Sequence, residues 1–460
     1  MGANVGAALR GRPLLRTMRD SNNGRPRRAA PTVTLLIVTA LMVVTSTSAD
    51  AAAQDARVDA QTRLGMIAAE ANKLKEAERH FAAAASLAPS DPATRNNYGA
   101  ILMRLGRTAE AQTQFEASLR LNPEQTGALT NLAQIYFDRG QPDDLAMART
   151  LLERAAKTTS DPEISRALVI TCLKLGQVLM EKGDLRGAGR TLESAVASGL
   201  DDAKIYAALA EVYEADGHYE NAIPAMRLAV QRDPQNEAYH FRYGLLLTDS
   251  HAPAAGIVRL QEALKQFPNS GRLWLALGIA QFTYGQNAEA ENSFKRSLAV
   301  DTKLVPALAY LGVTYAERGQ YEKAIGFYEQ ALALSPKTAT LHYLIADTML
   351  KNSNADTTRA EKYLRRAVEL DPKLAAAYLS WGRLHVRANR FSEAAPLLER
   401  AVALQPELVE AHYQLSRVLV KLKRPDEANR ELAIFKQLTE KQKTRNESRE
   451  IVRRLANVRF

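Results

Sequence analysis

The sequence predicts an all-α chain: an α-solenoid of about eleven helix-turn-helix units, preceded by a signal segment and closed by a capping helix. Three observations carry this expectation. Apolar residues make up 46% of the chain but aromatics only 6%. Alanine and leucine dominate them, a bias that favours helix over sheet. A glycine or turn-tolerant polar residue returns mostly every 34 residues, and columns of small residues keep fixed offsets from it. Such self-similarity marks one elongated repeat array rather than several globular domains.

Residues 1–53 read as a signal peptide or membrane anchor. Seven arginines stand against Asp20 in residues 1–31, residues 33–44 carry no charge, and small or polar residues fill 45–53. Ala49-Asp50-Ala51 and Ala51-Ala52-Ala53 offer A-x-A exits, so the order is that of a secretory signal. A helix crossing a bilayer takes about 20 apolar residues. The shorter stretch here favours cleavage, with an inner-membrane tether through residues 32–47 as the alternative. No cysteine stands near the exit to carry a lipoprotein anchor, and Met18 is a second candidate start.

The repeats follow in three expected segments: 54–160 (repeats one to three), 161–350 (four to eight and the start of nine) and 351–435 (nine to eleven). The turn column is Asn72, Gly106, Gly140, Gly183, Gly217, His251, Gly285, Gly319, Asn389 and Lys423. Two steps are long, by nine residues after Gly140 and by two after Gly319, so 140–174 and 351–357 are candidate hinges. Five residues after each regular turn stands a small residue, as at Ala77, Ala111, Ala188, Ala222, Gly256, Ala290, Ala324, Ala394 and Ala428. Seven before it stands another: Gly65, Gly99, Ala133, Gly176, Ala210, Gly244, Gly278, Gly312, Ala346, Gly382, Ser416. A third small column includes Ala84, Ser118, Ala229, Ser297 and Ala401. Antiparallel helices joined by a short turn approach closely only where side chains are small. Larger residues such as Phe115, Tyr136, Tyr213, Phe294, Tyr315 and Tyr328 then fill the gaps between those contacts.

Prolines close most pairs, among them Pro89, Pro123, Pro162, Pro234, Pro268, Pro336, Pro372 and Pro406. Proline stops the helix before it and suits the first turn of the next. An Asp, Asn or Ser often precedes it as a cap. Residues 436–460 are expected to form a basic capping helix, because the end of a solenoid needs a polar outer face.

These columns resemble the tetratricopeptide repeat (TPR). The likeness is carried by Trp274-Leu-Ala-Leu-Gly278, by Tyr310-Leu-Gly-Val-Thr-Tyr315-Ala-Glu-Arg-Gly319-Gln-Tyr321-Glu-Lys-Ala324 and by Ala331-Leu-Ala-Leu-Ser-Pro336. It covers about residues 58–435. The resemblance implies a right-handed superhelix whose concave surface is lined by the first helix of each pair and receives partners.

Chemistry leaves little trace. The formal charge of +10 resides at the ends, +6 in residues 1–31 and +5 in 436–460, which leaves −1 for the body. A phosphate-neutralising groove needs clustered positive charge, so no nucleic-acid partner is expected. No phosphate loop, G-x-G-x-x-G, H-E-x-x-H, G-x-S-x-G or C-x-x-C occurs, so no catalytic residue, cofactor or metal ligand is assigned. His240, His342 and His412 share one repeat column with Tyr206, Trp274, Tyr378 and the single Cys172, which indicates packing rather than ligation. Asn97 and Asn131 are similar to the asparagine ladder of sugar-transferase members, but two rungs do not make a ladder.

On the first helices the register places Phe241, Leu245, Leu275, Ile279, Phe282, Val313, Tyr343 and Leu350 on the inner face, an apolar strip across four repeats. Arg383 and Arg387, then Arg417 and Lys421, follow on the same face with i,i+4 spacing. Paired cations of this kind can clamp a carboxylate or an acidic peptide. The expected function is a non-enzymatic scaffold of a bacterial cell envelope, exported to the periplasm, that binds a peptide or protein on this groove. The alternative is a membrane-tethered structural subunit of a pilus, secretion or polysaccharide-export assembly.

Overall fold

The computed structural model describes residues 38–352 and 356–456, with side chains over 51–352 and 356–441. The arginine-rich start, Met18, the first part of the apolar segment and residues 457–460 lie outside the described residues. The described residues form helices joined by short turns, with no strand among them.

The helices pair in chain order. The first five pairs are α1 (Val38–Glu70) with α2 (Leu74–Leu87), α3 (Pro92–Arg104) with α4 (Thr108–Leu121), and α5 (Thr126–Arg139) with α6 (Pro142–Thr158). Then come α7 (Pro162–Glu181) with α8 (Leu185–Ala197) and α9 (Ala203–Ala215) with α10 (Tyr219–Arg232). The next three are α11 (Glu237–Asp249) with α12 (Pro253–Gln266), α13 (Gly271–Tyr284) with α14 (Asn287–Val300), and α15 (Val305–Glu317) with α16 (Tyr321–Leu334). The last are α17 (Ala339–Lys351) with α18 (Thr357–Leu370), α19 (Ala375–Arg387) with α20 (Phe391–Leu404), and α21 (Val409–Lys421) with α22 (Pro425–Ala456). The first helix of each pair is A, the second B. Contacts group the pairs into two units, one ending at Gln235 and one beginning at Asn236.

Local chemistry sets the helix ends. Every residue of the turn column has a left-handed backbone, from Asn72 (φ 58°) and Gly106 (77°) to Asn389 (56°) and Lys423 (59°). A Cβ on Gly106 or Gly285 would meet nothing within 4 Å, so conformation and not space selects glycine there. At the starts, Asp91 accepts from the N–H groups of Ala93 (3.1 Å) and Thr94 (3.2 Å), and Ser270 from Leu273 (3.0 Å). The extra residues after Gly140 are taken up by longer helices, 17 residues in α6 and 20 in α7. At the other irregular step α17 ends at Lys351 and Asp356 caps α18. The C-terminal cap is no separate helix: α22 runs unbroken for 32 residues from Pro425, so residues 436–456 prolong the B helix of the last repeat.

Small columns and large residues interlock as close approach requires. The alanines five residues after the turns are 0–3% exposed. A Cβ on Gly99 would come 2.6 Å from Phe115, and one on Gly278 would come 2.5 Å from Phe294. Each glycine therefore seats a ring of its partner helix. Phe115, Phe294 and Tyr328 are fully buried. Tyr213 and Tyr315 are half-buried and donate their hydroxyls outward to Glu193 and Glu291, each at 2.8 Å. Where the third small column holds serine, the hydroxyl is satisfied by a carbonyl at the start of the facing helix: Ser118 donates to Pro92 and Ser297 to Gly271, both at 2.7 Å.

Several A helices of neighbouring repeats touch one another within a unit: α3 with α5, α7 with α9, α11, α13 and α15 in succession, and α17, α19 and α21 in succession. Within a unit each B helix packs on its own A helix and on the A helix that follows it there. In each unit the A helices thus form one layer and the B helices the other. Arginines beside the turns tie hairpins together from outside. Arg107 reaches Glu78, Arg390 reaches Glu361 (3.4 Å) and Arg424 reaches Glu399 (3.3 Å). Such exposed pairs are screened by water and add little to stability. No helix among the described residues is long and apolar enough to cross a membrane.

Candidate functional site

The A-helix layer of the second unit holds all the sequence-selected residues. Successive repeats bring Leu245, Ile279, Val313, Asp347, Arg383 and Arg417 to the same helical position. One turn further on they bring Asp249, Thr283, Glu317, Lys351, Arg387 and Lys421. The face therefore starts apolar with acidic punctuation on α11 to α15 and ends cationic on α19 and α21.

The apolar strip is built into the core rather than laid upon it. Phe241 and Leu245 are partly buried against Ile257, Leu260 and Leu273. Leu275 is buried, with Ile279 and Phe282 packed around it and around Phe294. Val313 and Tyr343 rest on the cluster of Tyr328, Ile345 and Leu350. Leu275 and Leu350 present little surface, whereas the other members remain half open. At the end of α13, Tyr284 is 50% exposed and extends the apolar surface.

Asp347 stands at the junction of the two halves, a residue the sequence reasoning passed over. Its carboxylate accepts from Ser380 Oγ at 2.9 Å and pairs with Lys351 Nζ at 3.1 Å. With Leu350, Arg383, Leu384 and Arg387 these residues line one small recess. Burial, with the Asp347 charge adding to it, pushes the Tyr343 hydroxyl up to about 12, while Arg383 opposes the rise. Tyr343 is thus a neutral donor at any working pH. Further up the face, burial raises the Asp249 carboxyl, with Arg242 opposing.

The four predicted cations do different things. Arg387 Nη1 donates to the Leu350 carbonyl at 2.6 Å, so part of its hydrogen-bonding capacity joins two repeats. Arg383 faces the Tyr343–Asp347 pair. Arg417 and Lys421 are exposed one repeat away, with the Arg417 guanidinium 5.5 Å from the Tyr413 ring centre. The structure brings Arg383 and Arg387 to one recess and leaves Arg417 and Lys421 outside it.

The histidine column has a structural explanation that sequence alone did not supply. Trp274 Nε1 donates to the Pro268 carbonyl at 3.0 Å. His342 and His412 place Nε2 at 3.0 and 2.9 Å from the carbonyls of Pro336 and Pro406. Arg95 does the same to Pro89 at 3.0 Å. A carbonyl only accepts, so each of these nitrogens carries the proton. The column latches the A helix to the turn before it. Cys172 is fully buried in this column, and burial pushes its thiol up to about 12, which keeps it from being a nucleophile. Asn131 donates to Asn96, not Asn97, at 3.1 Å. No group of His, Cys, Asp and Glu among the described residues could hold a metal ion.

Family models for tetratricopeptide repeats match residues 99–163, 173–237 and 379–433, a second matches 339–374, and a TPR repeat model matches 312–353. Together they span more than half of the sequence. The chain belongs to the tetratricopeptide-repeat family. Among curated TPR relatives, the TPR repeat-containing protein YpiA of Bacillus subtilis (strain 168) is 23% identical over 303 residues, 64% of this chain and 68% of that protein. The BBSome complex member BBS4 of Bos taurus is 23% identical over 301 residues, covering 65% of this chain and 55% of the relative. The human antiviral innate immune response effector IFIT1 is 22% identical over 205 residues, 38% of this chain and 43% of that protein. The chain thus spans about half the length of the last two. Among solved structures, yeast Tom70 is similar over 88% of this chain and 100% of its own, with TM-score 0.44 and 17% identity. YrrB, described as a TPR protein with an unusual peptide-binding site, covers 42% of this chain and 97% of its own, with TM-score 0.32 and 17% identity.

Proposed function

We propose that this TPR chain is a non-enzymatic scaffold that holds a peptide or protein segment on the A-helix face of its second unit. The observation that carries this reading is the column Leu245–Ile279–Val313–Asp347–Arg383–Arg417, which turns from apolar to cationic along one preformed face. A partner segment with an apolar stretch followed by acidic side chains complements it. Apolar burial supplies affinity, and the cations set direction and register. Because the face is fixed by the hairpins beneath it, binding costs little ordering of the scaffold.

The near-zero charge of the repeat body and the lack of any catalytic constellation support a protein partner over nucleic acid or a substrate. The basic, apolar and small-residue order of residues 1–53 supports export to a bacterial envelope, with a tether through residues 32–47 as the second reading. N-terminal sequencing of the mature protein separates the two, since a start near Ala52 or Gln54 eliminates the tether. Capture from an envelope extract tests the face itself. Leu245→Asp with Ile279→Asp is expected to abolish partner capture while the circular dichroism stays helical. Capture unchanged by that pair overturns the proposal.

A further inference from the structure

One end of the first unit is left uncovered. Leu64 and Ile67 on α1 are 45% and 62% exposed. One repeat on, the counterparts are the half-buried Tyr98 and the buried Ile101 (2%), and further on they include Leu132 (5%) and Ile135 (2%) in α5 and Leu277 (3%) and Ala280 (0%) in α13. The reason is visible at α13, where Leu277 and Ala280 share one apolar cluster with Ile257 and Leu264 of the preceding B helix. Among the described residues no hairpin precedes α1 to do the same. An apolar pair at 45% and 62% exposure is a surface awaiting a helix.

The exposed face also runs further than one turn. At about 100° per residue, Ala53, Ala56, Ala60, Leu64 and Ile67 fall within an arc of about 80° along α1. All five are exposed. Small residues occupy the first half of the stripe and large ones the second, which suits an antiparallel copy of the same helix. Asp59 and Arg63 lie together on one flank of it, both exposed, and neither has an ion pair among the described residues.

We infer that the chain pairs with a second copy of itself through α1, antiparallel and about a two-fold axis at the level of Thr62. In that arrangement Leu64 of each copy covers Ala60 of the other, Ile67 lies beside Ala56, and Arg63 meets Asp59. Like flanks face each other across such an axis, so both ion pairs form by symmetry. Head-to-tail stacking is the rival use of a second copy, and the far end of the chain argues against it. Where α12 offers Ile257 and Leu264 to the next hairpin, α22 presents exposed Asn429 and Lys436 at the equivalent positions. α1 continues as one helix back to Val38, about 39 Å from Leu64 at 1.5 Å per residue.

Sedimentation velocity of the full-length protein across a dilution series tests this. The wild type is expected to show a concentration-dependent monomer–dimer equilibrium. Ile67→Glu is expected to raise the dimer dissociation constant by more than about tenfold, with an unchanged melting curve because Ile67 is exposed. Asp59→Arg alone is expected to weaken the dimer, and Asp59→Arg combined with Arg63→Asp to restore it. That rescue separates a two-fold contact from any loss of folding. A protein monomeric at every concentration overturns the inference. So does a dimer indifferent to Ile67→Glu, or a charge swap that fails to rescue.

Discussion

Within the small column that seats the B helix, every ring faces a glycine, while Gly176, Gly244 and Gly382 face leucines. Phe81, Phe115, Phe294 and Tyr328 face Gly65, Gly99, Gly278 and Gly312. At the equivalent places Ala210 and Ala346 stand across from Met226 and Leu364. Gly278→Ala tests whether this pairing is steric. The new Cβ would lie 2.5 Å from two atoms of the Phe294 ring, which is fully buried and stacked on Tyr310 at 5.3 Å, so the ring has nowhere to swing. Overpacking of this kind costs about 1–3 kcal/mol. Alanine in a helix returns about 1 kcal/mol over glycine. The net expectation is a loss of about 1 kcal/mol. Gly176→Ala, whose nearest neighbour is Leu192 at 3.4 Å, should instead gain up to about 1 kcal/mol from the propensity term. In the Phe294→Leu background the penalty at position 278 should shrink, because the smaller leucine vacates part of the space that the ring fills at this helix spacing. Urea titrations of the four species of this double-mutant cycle read the coupling directly. A zero coupling between positions 278 and 294 would refute the steric account of the column.

Two further outcomes follow from the ion pairs and turns. Hydrogen bonds from Lys295, Tyr315 and Arg318 hold the Glu291 carboxyl down at about 2. Its folded value is below its ordinary one, so its contribution is complete above about 4.5 and is lost as pH falls toward 2. Glu291→Gln should therefore lower stability by about 1 kcal/mol at neutral pH and flatten the acid limb of a melting-temperature profile over that window; an unchanged profile contradicts it. Lys423 holds a left-handed backbone at φ 59°. Lys423→Gly should relieve that strain and raise stability by about 0.5–1 kcal/mol in thermal unfolding, despite the extra freedom of the unfolded chain.

Much of the fold was legible because a repeat writes each structural demand many times over. The turn-column residue, one or two places after the A helix, is left-handed in all ten marked turns, and the alanine column is buried throughout, so spacing alone located turns and contacts. The candidate face was legible only in part. Leu245, Ile279 and Val313 could be placed by register, but not how deeply each sinks into the core, since that depends on neighbours in the next hairpin. Asp347 shares their column one repeat beyond Val313, but a lone acidic residue between an apolar and a basic run has no pattern of its own. The engagement of Arg387 with the Leu350 carbonyl, 37 residues away, has no sequence signature at all. The proline-carbonyl latch likewise joins Trp, His and Arg through one shared property, a side-chain N–H at the right reach, which residue identity conceals.

The most direct measurement of the central claim is a selection of peptides by the full-length protein, read out by sequence. Peptides that pair an apolar stretch with aspartate or glutamate are expected to be enriched. Arg383→Glu with Arg417→Glu should invert the charge preference while retaining the apolar one. A selection blind to charge, or one that those two substitutions leave unchanged, would contradict a partner held on the apolar-to-cationic face.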